Sequence, residues 1–312
     1  MTSVLVTGAA GFIGSALADH FRAKGVQVFV DAERGHSGST TRWPLTESGL
    51  ELAMGGQVPD VIFHAAGSGT VAKVAAHPTL ELPANLGAFL AVLQYAWSKA
   101  PSTRLVLLSS AALYGNAPAS PQSETENRQP VSLYGLAKSQ AEQLAAFYAD
   151  KMDLQVTAVR LFSVYGPRLR KQLLWDAMNK FALGEAVFFG TGREQRDWVH
   201  IDDVCGFMDH LLARPALRSF DVYNCGGSPA STSEVLTAMA EIAGAPRPAF
   251  NGQTRPGDPA CLVADCAKAA HELGWQSRIA WREGVAAYAK WYALQAARPV
   301  DGGAGNLFSV QR

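Results

Sequence analysis

Tyr134 and Lys138 stand four positions apart, a spacing that puts a phenol and an ammonium on one face of a helix. A phenol with an ordinary pKa of about 10 is a poor base near neutrality. A neighbouring ammonium, or the positive ring of an oxidised nicotinamide, would favour the phenolate and lower that pKa. Such a pair can draw a proton from a hydroxyl while hydride leaves the same carbon. A Tyr and a Lys one turn apart are also commonplace on exposed helices. What singles these out is Ser109-Ser110 at the end of a predicted strand, with Ser110 24 residues upstream of Tyr134. The C-terminal ends of strands are where open α/β sheets hold their ligands.

A second constellation, Thr7-Gly8-Ala9-Ala10-Gly11-Phe12-Ile13-Gly14, runs from a predicted strand into a predicted helix. Gly8 allows the tight turn, Gly11 lets backbone approach a pyrophosphate, and Gly14 lets the helix pack closely on the strand. The N–H groups around Phe12 and Ile13, with the helix dipole, then face the phosphates. Asp31 follows seventeen residues past Gly14, at the end of the second strand. A carboxylate there accepts from both ribose hydroxyls and repels a 2′-phosphate, so NAD is expected rather than NADP. Arg34 nearby keeps NADP as the alternative.

These groups need a frame to hold them. Apolar runs read as strands over Ser3–Thr7, Val26–Asp31, Val61–His64, Arg104–Ser109 and Gln155–Arg160. Helical patterns fall between them at Ile13–Lys24, Pro83–Lys99 and Tyr134–Lys151. Strand–helix–strand alternation implies right-handed crossovers and a parallel sheet, and runs such as Leu105–Leu108 suit a sheet covered on both faces. The expected fold class is α/β: a doubly wound parallel sheet with a smaller C-terminal α/β lobe. Residues 1–165 are expected to bind NAD, and 166–298 to form mainly the substrate lobe, with some segments returning to the first domain. Residues 299–312 read as a Gly-rich tail.

The 312 residues include 27 Lys and Arg against 27 Asp and Glu, a formal charge of zero, with 48% hydrophobic and 17% charged residues. That composition is globular rather than disordered. Nucleic-acid and anionic-membrane partners need a basic surface for counterion release, and zero net charge argues against both. No stretch approaches the roughly 18 consecutive apolar residues of a membrane span, and no leader pattern opens the chain, so a cytoplasmic protein is expected. Cys205, Cys225, Cys261 and Cys266 lack the spacing of a disulfide framework or a zinc clamp and read as buried, reduced thiols. No metal site is expected: His200-Ile201-Asp202-Asp203 has no spaced partners, and Asp202 or Asp203 reads as the N-cap of a helix beginning near Val204. His64 reads as a residue that packs or bonds backbone, and Trp275, Trp281, Tyr288 and Trp291 as packing.

Taken in order, the glycine loop, Asp31, His64-Ala65-Ala66-Gly67, Ser109-Ser110 with Tyr114-Gly115, and Tyr134 with Lys138 resemble the extended short-chain dehydrogenase/reductase family and its Rossmann-type domain. Arg160–Arg168, Gly190–Val204 and Arg255–Asp258 resemble its nucleotide-sugar epimerase, dehydratase and reductase branch, and the likeness spans Val4 to about Leu294. The resemblance implies Tyr134 as base, Lys138 as its tuner and a ligand of the nicotinamide ribose, and Ser110 as partner of the reacting sugar oxygen. It implies Ala65, Ala66 and Gly67 beneath the cofactor, Asn85 in the helix behind it, and Ser109 on the cofactor side. Arg196 and Arg255 match positions holding the nucleotide diphosphate, as guanidinium forks suit phosphate oxygens. Ser163, Arg168 and Asp258 are the further substrate contacts implied.

Departures narrow the reaction. Ala111-Ala112-Leu113 stand where the dehydratases carry an Asp-Glu pair and the decarboxylases a Glu, so dehydration lacks its general acid. What remains resembles UDP-galactose 4-epimerase-like enzymes or a 4-ketoreductase. Ser163 replaces the usual Asn, and Arg42-Trp43-Pro44-Leu45 replaces an adenine-contacting Asp. The basic cluster Arg168, Arg170 and Lys171 suits a carboxylated sugar or an extra phosphate, or else a solvated loop. Helices Pro83–Lys99 and Tyr134–Lys151 carry second apolar faces (Phe89, Val92, Leu93; Leu144, Phe147, Tyr148). By resemblance these imply a homodimer; burial within one chain is the alternative. The expected function is an NAD-dependent nucleotide-sugar 4-epimerase working through a transient 4-keto sugar. The alternatives are an NAD(P)H-dependent 4-keto-sugar reductase and a non-catalytic NAD(H)-binding sensor, which would not need Ser110, Tyr134 and Lys138.

Overall fold

A computed structural model describes residues 2–34, 40–67, 70–116, 121–215, 218–254 and 257–296; the tail expected over 299–312 lies outside them. In the strand Ser3–Thr7, Val4 and Val6 enter one core cluster with Leu17 and Phe21 of the helix Phe12–Ala23. Leu5 between them enters another, with Phe89 and Leu93 of the helix Pro78–Lys99. Val61 and Phe63 divide from Ile62 in the same way. Both faces of the sheet are buried, which is why its strands read as unbroken apolar runs.

The sheet has six parallel strands in the order Phe220–Cys225, Val156–Leu161, Arg104–Ser110, Val61–His64, Ser3–Thr7, Gln27–Val30. This is the doubly wound α/β fold. The chain goes from the first strand to the Gln27–Val30 edge and then crosses to Val61–His64 on the other side. Strand order therefore reverses between Thr7 and His64, which are paired. Such a switch point opens a crevice at the strands' C-terminal ends, where these sheets take ligands.

Strand ends fall within a residue of the expected ones. The helix expected from Pro83 begins instead at Pro78 and keeps Pro83 inside it. Proline is at home in the first turn, where its missing N–H would have no partner, so Pro78 rather than Pro83 marks the start. The second half gives the strand Phe220–Cys225 to the large sheet and builds a smaller sheet of its own. There Gln195–His200 pairs antiparallel with Ser228–Ser231 and parallel with Ser163–Tyr165 and Cys261–Leu262. Helices Gln172–Ala182, Thr232–Ala243 and Trp281–Ala296 pack around a third cluster containing Phe181, Leu236 and Tyr288. Trp275 packs in the first cluster, and Trp281 and Trp291 in the third.

Other expectations are corrected. The helix Ile201–Ala213 begins before Val204, and its N-cap is His200, whose ring accepts from Asp202 N. Asp203 instead accepts from Arg278 N and Ile279 N, holding a distant loop. Phe89, Val92 and Leu93 are buried against the sheet within the chain, so they are no second apolar face; Phe147 is exposed. Cys205 and Cys225 are buried, whereas Cys261 and Cys266 are half-buried, and all four are free.

Candidate active site

The glycine loop is shaped for an anion. Gly8 has φ +74°, and its carbonyl accepts from Gly11 N at 2.8 Å. A Cβ on Gly14 would lie 2.3 Å from the Gly8 carbonyl oxygen, and one on Gly8 2.7 Å from that of Ala65, so helix, turn and neighbouring strand end touch. The helix Phe12–Ala23 has no side-chain cap and no acidic residue in its first turn. Its leading N–H groups and dipole are left for a ligand's charge. Buried Asp31 accepts from Ala9 N at 3.0 Å, which ties the ribose-side carboxylate to the loop. On the far side, a Cβ on Gly67 would meet Asn85 Oδ1 at 2.6 Å, and Asn85 Nδ2 donates to the Glu81 carbonyl at 2.7 Å. A diphosphate cradle beside an acid suited to a ribose fits NAD.

Ser110, Tyr134 and Lys138 come together at the end of the strand Arg104–Ser110. Ser132 caps the helix Leu133–Lys151, accepting from Gly135 N at 3.1 Å. A Cβ on Gly135 would stand 2.4 Å from the Ala112 carbonyl, so glycine lets this helix press against the turn Ala111–Leu113. That contact sets Tyr134 beside Ser110. Ser110 Oγ accepts from Ala112 N at 3.2 Å, which leaves its proton for the Tyr134 oxygen. Burial raises the Tyr134 pKa above the usual phenol value, and the Ser110 hydrogen bond opposes it. Lys138 was expected to lower it; the largest cause is desolvation, and the opposing one is Ser110. Lys138 Nζ lies 6.0 Å from the Tyr134 ring centre and donates to the Leu108 carbonyl at 2.8 Å. Burial pulls the Lys138 pKa down to about 8, and Glu142 pushes the other way.

His64 lines the crevice with Tyr134, Lys138 and Asn85. It packs as expected, its ring centre 5.1 Å from that of Phe89, and its Nδ1 also meets Thr7 Oγ1 at 2.8 Å. Burial and then the Lys138 charge bring its pKa down to about 3, so the ring is neutral. The sequence marked His64 only as a strand end. Glu142 was missed altogether, although its place four residues past Lys138 puts it on the same helix face.

The remaining predicted residues scatter. The Ser109 hydroxyl turns inward and donates to Glu142 Oε1 at 2.6 Å. Ser163 is half-buried at the start of a strand, opposite Trp198. Arg196 reaches Asp258 at 2.5 Å. Arg168, with φ +80°, bonds Asp19 Oδ2 and Ser15 Oγ, each at 2.7 Å. It reaches from the second half of the chain to the helix Phe12–Ala23. Arg170 bonds Gln295 at 2.8 Å and lies over the Trp291 ring, so the basic cluster splays apart. Arg255 lies outside the described residues. Among the described residues no group of three or more His, Cys, Asp or Glu is placed to hold a metal.

A switch-point crevice with a glycine cradle, an acid one strand away and a Ser, Tyr and Lys at a neighbouring strand end fits an NAD-dependent α/β enzyme. The sequence profile of the NAD dependent epimerase/dehydratase family matches residues 4–226, and the chain belongs to that family. A UDP-glucose 4-epimerase of Mycolicibacterium smegmatis is 31% identical over 304 residues, covering 90% of this chain and 96% of the relative. The structure of UDP-glucose 4-epimerase with UDP-glucose from Thermotoga maritima superimposes with TM-score 0.85 at 26% identity, covering 95% of this chain and 100% of that one. MoeE5 in complex with UDP-glucuronic acid and NAD gives TM-score 0.84 at 31% identity, covering 94% and 99%.

Proposed function

We propose that this protein is a nucleoside-diphosphate-sugar 4-epimerase that keeps NAD resident. The observation that carries the reading is Tyr134 set beside Ser110 and Lys138 at the end of the strand Arg104–Ser110, with alanines where a dehydratase needs an acid. Relatives that hold UDP-sugars and NAD support it. Gly8, Gly11, Phe12, Ile13 and Gly14 hold the cofactor diphosphate and Asp31 the ribose, while Ala65, Ala66, Gly67 and Asn85 close its far side. NAD bound there would supply a reversible hydride acceptor for the sugar carbon, so no cofactor would be consumed. Ser110 orients the 4-hydroxyl, and Tyr134 takes its proton and later returns it. Lys138, while charged, favours the phenolate that makes Tyr134 a base. Between the two transfers the 4-keto sugar turns over, exposing its other face. Arg196, freed from Asp258, and Arg255 bind the substrate diphosphate.

Residues 1–165 together with Phe220–Cys225 act as the cofactor half, and most of 166–298 as the sugar half. A homodimer forms through the helices Pro78–Lys99 and Leu133–Lys151. Among the described residues no helix is long and apolar enough to cross a membrane, and four free thiols suit a cytoplasmic location. The test is NMR of UDP- and GDP-sugars, uronic acids included, incubated with purified protein and no added cofactor. A C4 epimer is expected. Turnover confined to a 4-keto sugar with added NAD(P)H would overturn the reading in favour of a reductase.

A further inference from the structure

Glu142 sits one turn past Lys138 on the catalytic helix, and its side chain is 0% exposed. Its Oε1 receives Ser109 Oγ at 2.6 Å and Arg160 Nε at 3.1 Å; its Oε2 receives Arg160 Nη2 at 2.8 Å. Arg128 Nη1 stands 3.5 Å from Oε2. Every partner is a donor, so both oxygens accept, as the ionised carboxylate does. Arg160 is itself locked from behind, donating from Nη1 to Tyr114 Oη at 2.8 Å and to the Glu124 carbonyl at 3.0 Å. Tyr114 in turn donates a hydrogen bond to Asn224 Oδ1 at 2.7 Å.

Joining helix to sheet does not call for this arrangement, because apolar side chains of similar volume pack two elements without the desolvation a buried ion pair incurs. The location of the charge is informative. Through Ser109 it grips the residue before Ser110, and along the helix it stands over Lys138. Lys138 is faced by Tyr134 from its own helix, by the Leu108 carbonyl from the strand Arg104–Ser110 and by neutral His64 from the strand Val61–His64. Arg160 and Arg128 both pair with Glu142. Within this set Glu142 supplies the negative charge.

We propose that Glu142 is a positioning residue for the reaction: locked by Arg160, it holds the Ser109-Ser110 strand end to the catalytic helix and keeps the half-buried Lys138 charged. The inference rests on the roles given above to Tyr134 and Lys138. Loss of the Glu142 charge lets Lys138 shed its proton at lower pH, and Tyr134 then holds its own to higher pH.

The test uses the full chain loaded with NAD. The Lys138 ammonium is followed by NMR, assigned with Lys138→Arg, and the Tyr134 phenolate by its ultraviolet absorbance relative to Tyr134→Phe. In Glu142→Gln, Lys138 is expected to titrate lower by about one pH unit or more, the size of effect a close charge exerts. Glu142→Asp should restore most of the shift. Ser109→Ala should leave the Lys138 titration in place while lowering kcat with little change in KM. If Glu142→Gln does not fold, the pair is removed together as Glu142→Leu with Arg160→Met, which leaves no lone buried charge, and the same titration is read. Wild-type Lys138 titration in either folded variant would overturn the proposal. These titrations need no sugar, so failure of the epimerase reading would show separately, as no conversion by the wild type.

Discussion

Tyr134 holds its proton more firmly than a free phenol because desolvation outweighs the hydrogen bond from Ser110. Replacing it with Phe removes the base but none of the cradle. Tyr134→Phe is therefore expected to lower turnover by roughly 10²–10⁴-fold while the NAD retained per chain stays at the wild-type level. Undiminished turnover in the NMR assay would show that another group is the base. His64 gives a stability prediction. Its folded pKa of about 3 lies below the ordinary 6.5, so between those values the unfolded chain binds more protons than the native one. Stability then falls as pH falls through that window, by about 1.4 kcal/mol per unit from this group. Denaturant unfolding at pH 6.5 and pH 5 should show a smaller loss for His64→Gln than for the wild type; equal losses would mean the ring is charged in the fold. Tyr134 and Lys138 were legible from their spacing together with Ser109-Ser110 at a strand end, and Ser110's role from the family resemblance. The Thr7 partner of His64 and the Glu142 partner of Ser109 were not, since each contact joins segments distant in sequence.

At the scale of elements, the amphipathic pattern of the two long helices revealed which residues are apolar but not which neighbour covers them. The helix Pro78–Lys99 turns Phe89, Val92 and Leu93 to the sheet and leaves Leu90 and Trp97 exposed. The helix Leu133–Lys151 leaves Leu136 and Phe147 exposed, the latter by 52%. Trp97 follows Leu90 by seven residues and Phe147 follows Leu136 by eleven, spacings that return to one helix face. These two helices pack on each other, and the proposed homodimer would bury these four exposed side chains. Sedimentation is expected to show a dimer for the wild type and a monomer for Trp97→Asp with Phe147→Asp. A monomeric wild type would overturn this.

At the scale of the whole molecule, Arg168 decides whether a conspicuous basic residue serves the substrate or the architecture. It extends from the second half of the chain to Asp19 and Ser15 of the cofactor helix, in an exposed pair. Exposed pairs contribute about 0–1 kcal/mol, so Arg168→Ala should cost no more than that in denaturant unfolding and leave the sugar KM within about twofold. A large rise in KM would return Arg168 to the substrate. The same logic applies to the net charge: a total of zero argues against a polyanion-binding surface but says nothing of where single cations point. By itself the sequence determined the α/β order of elements, the glycine cradle and the Tyr134–Lys138 pair. Each depends on contacts within a few turns of chain, where periodicity and spacing specify geometry. Only the tertiary structure decided which of Arg168, Arg170 and Arg196 faces what, how Phe220–Cys225 rejoins the first sheet, and that Glu142 lies beneath Ser109. Those depend on pairings between distant segments, which are selected by the packing of the whole core.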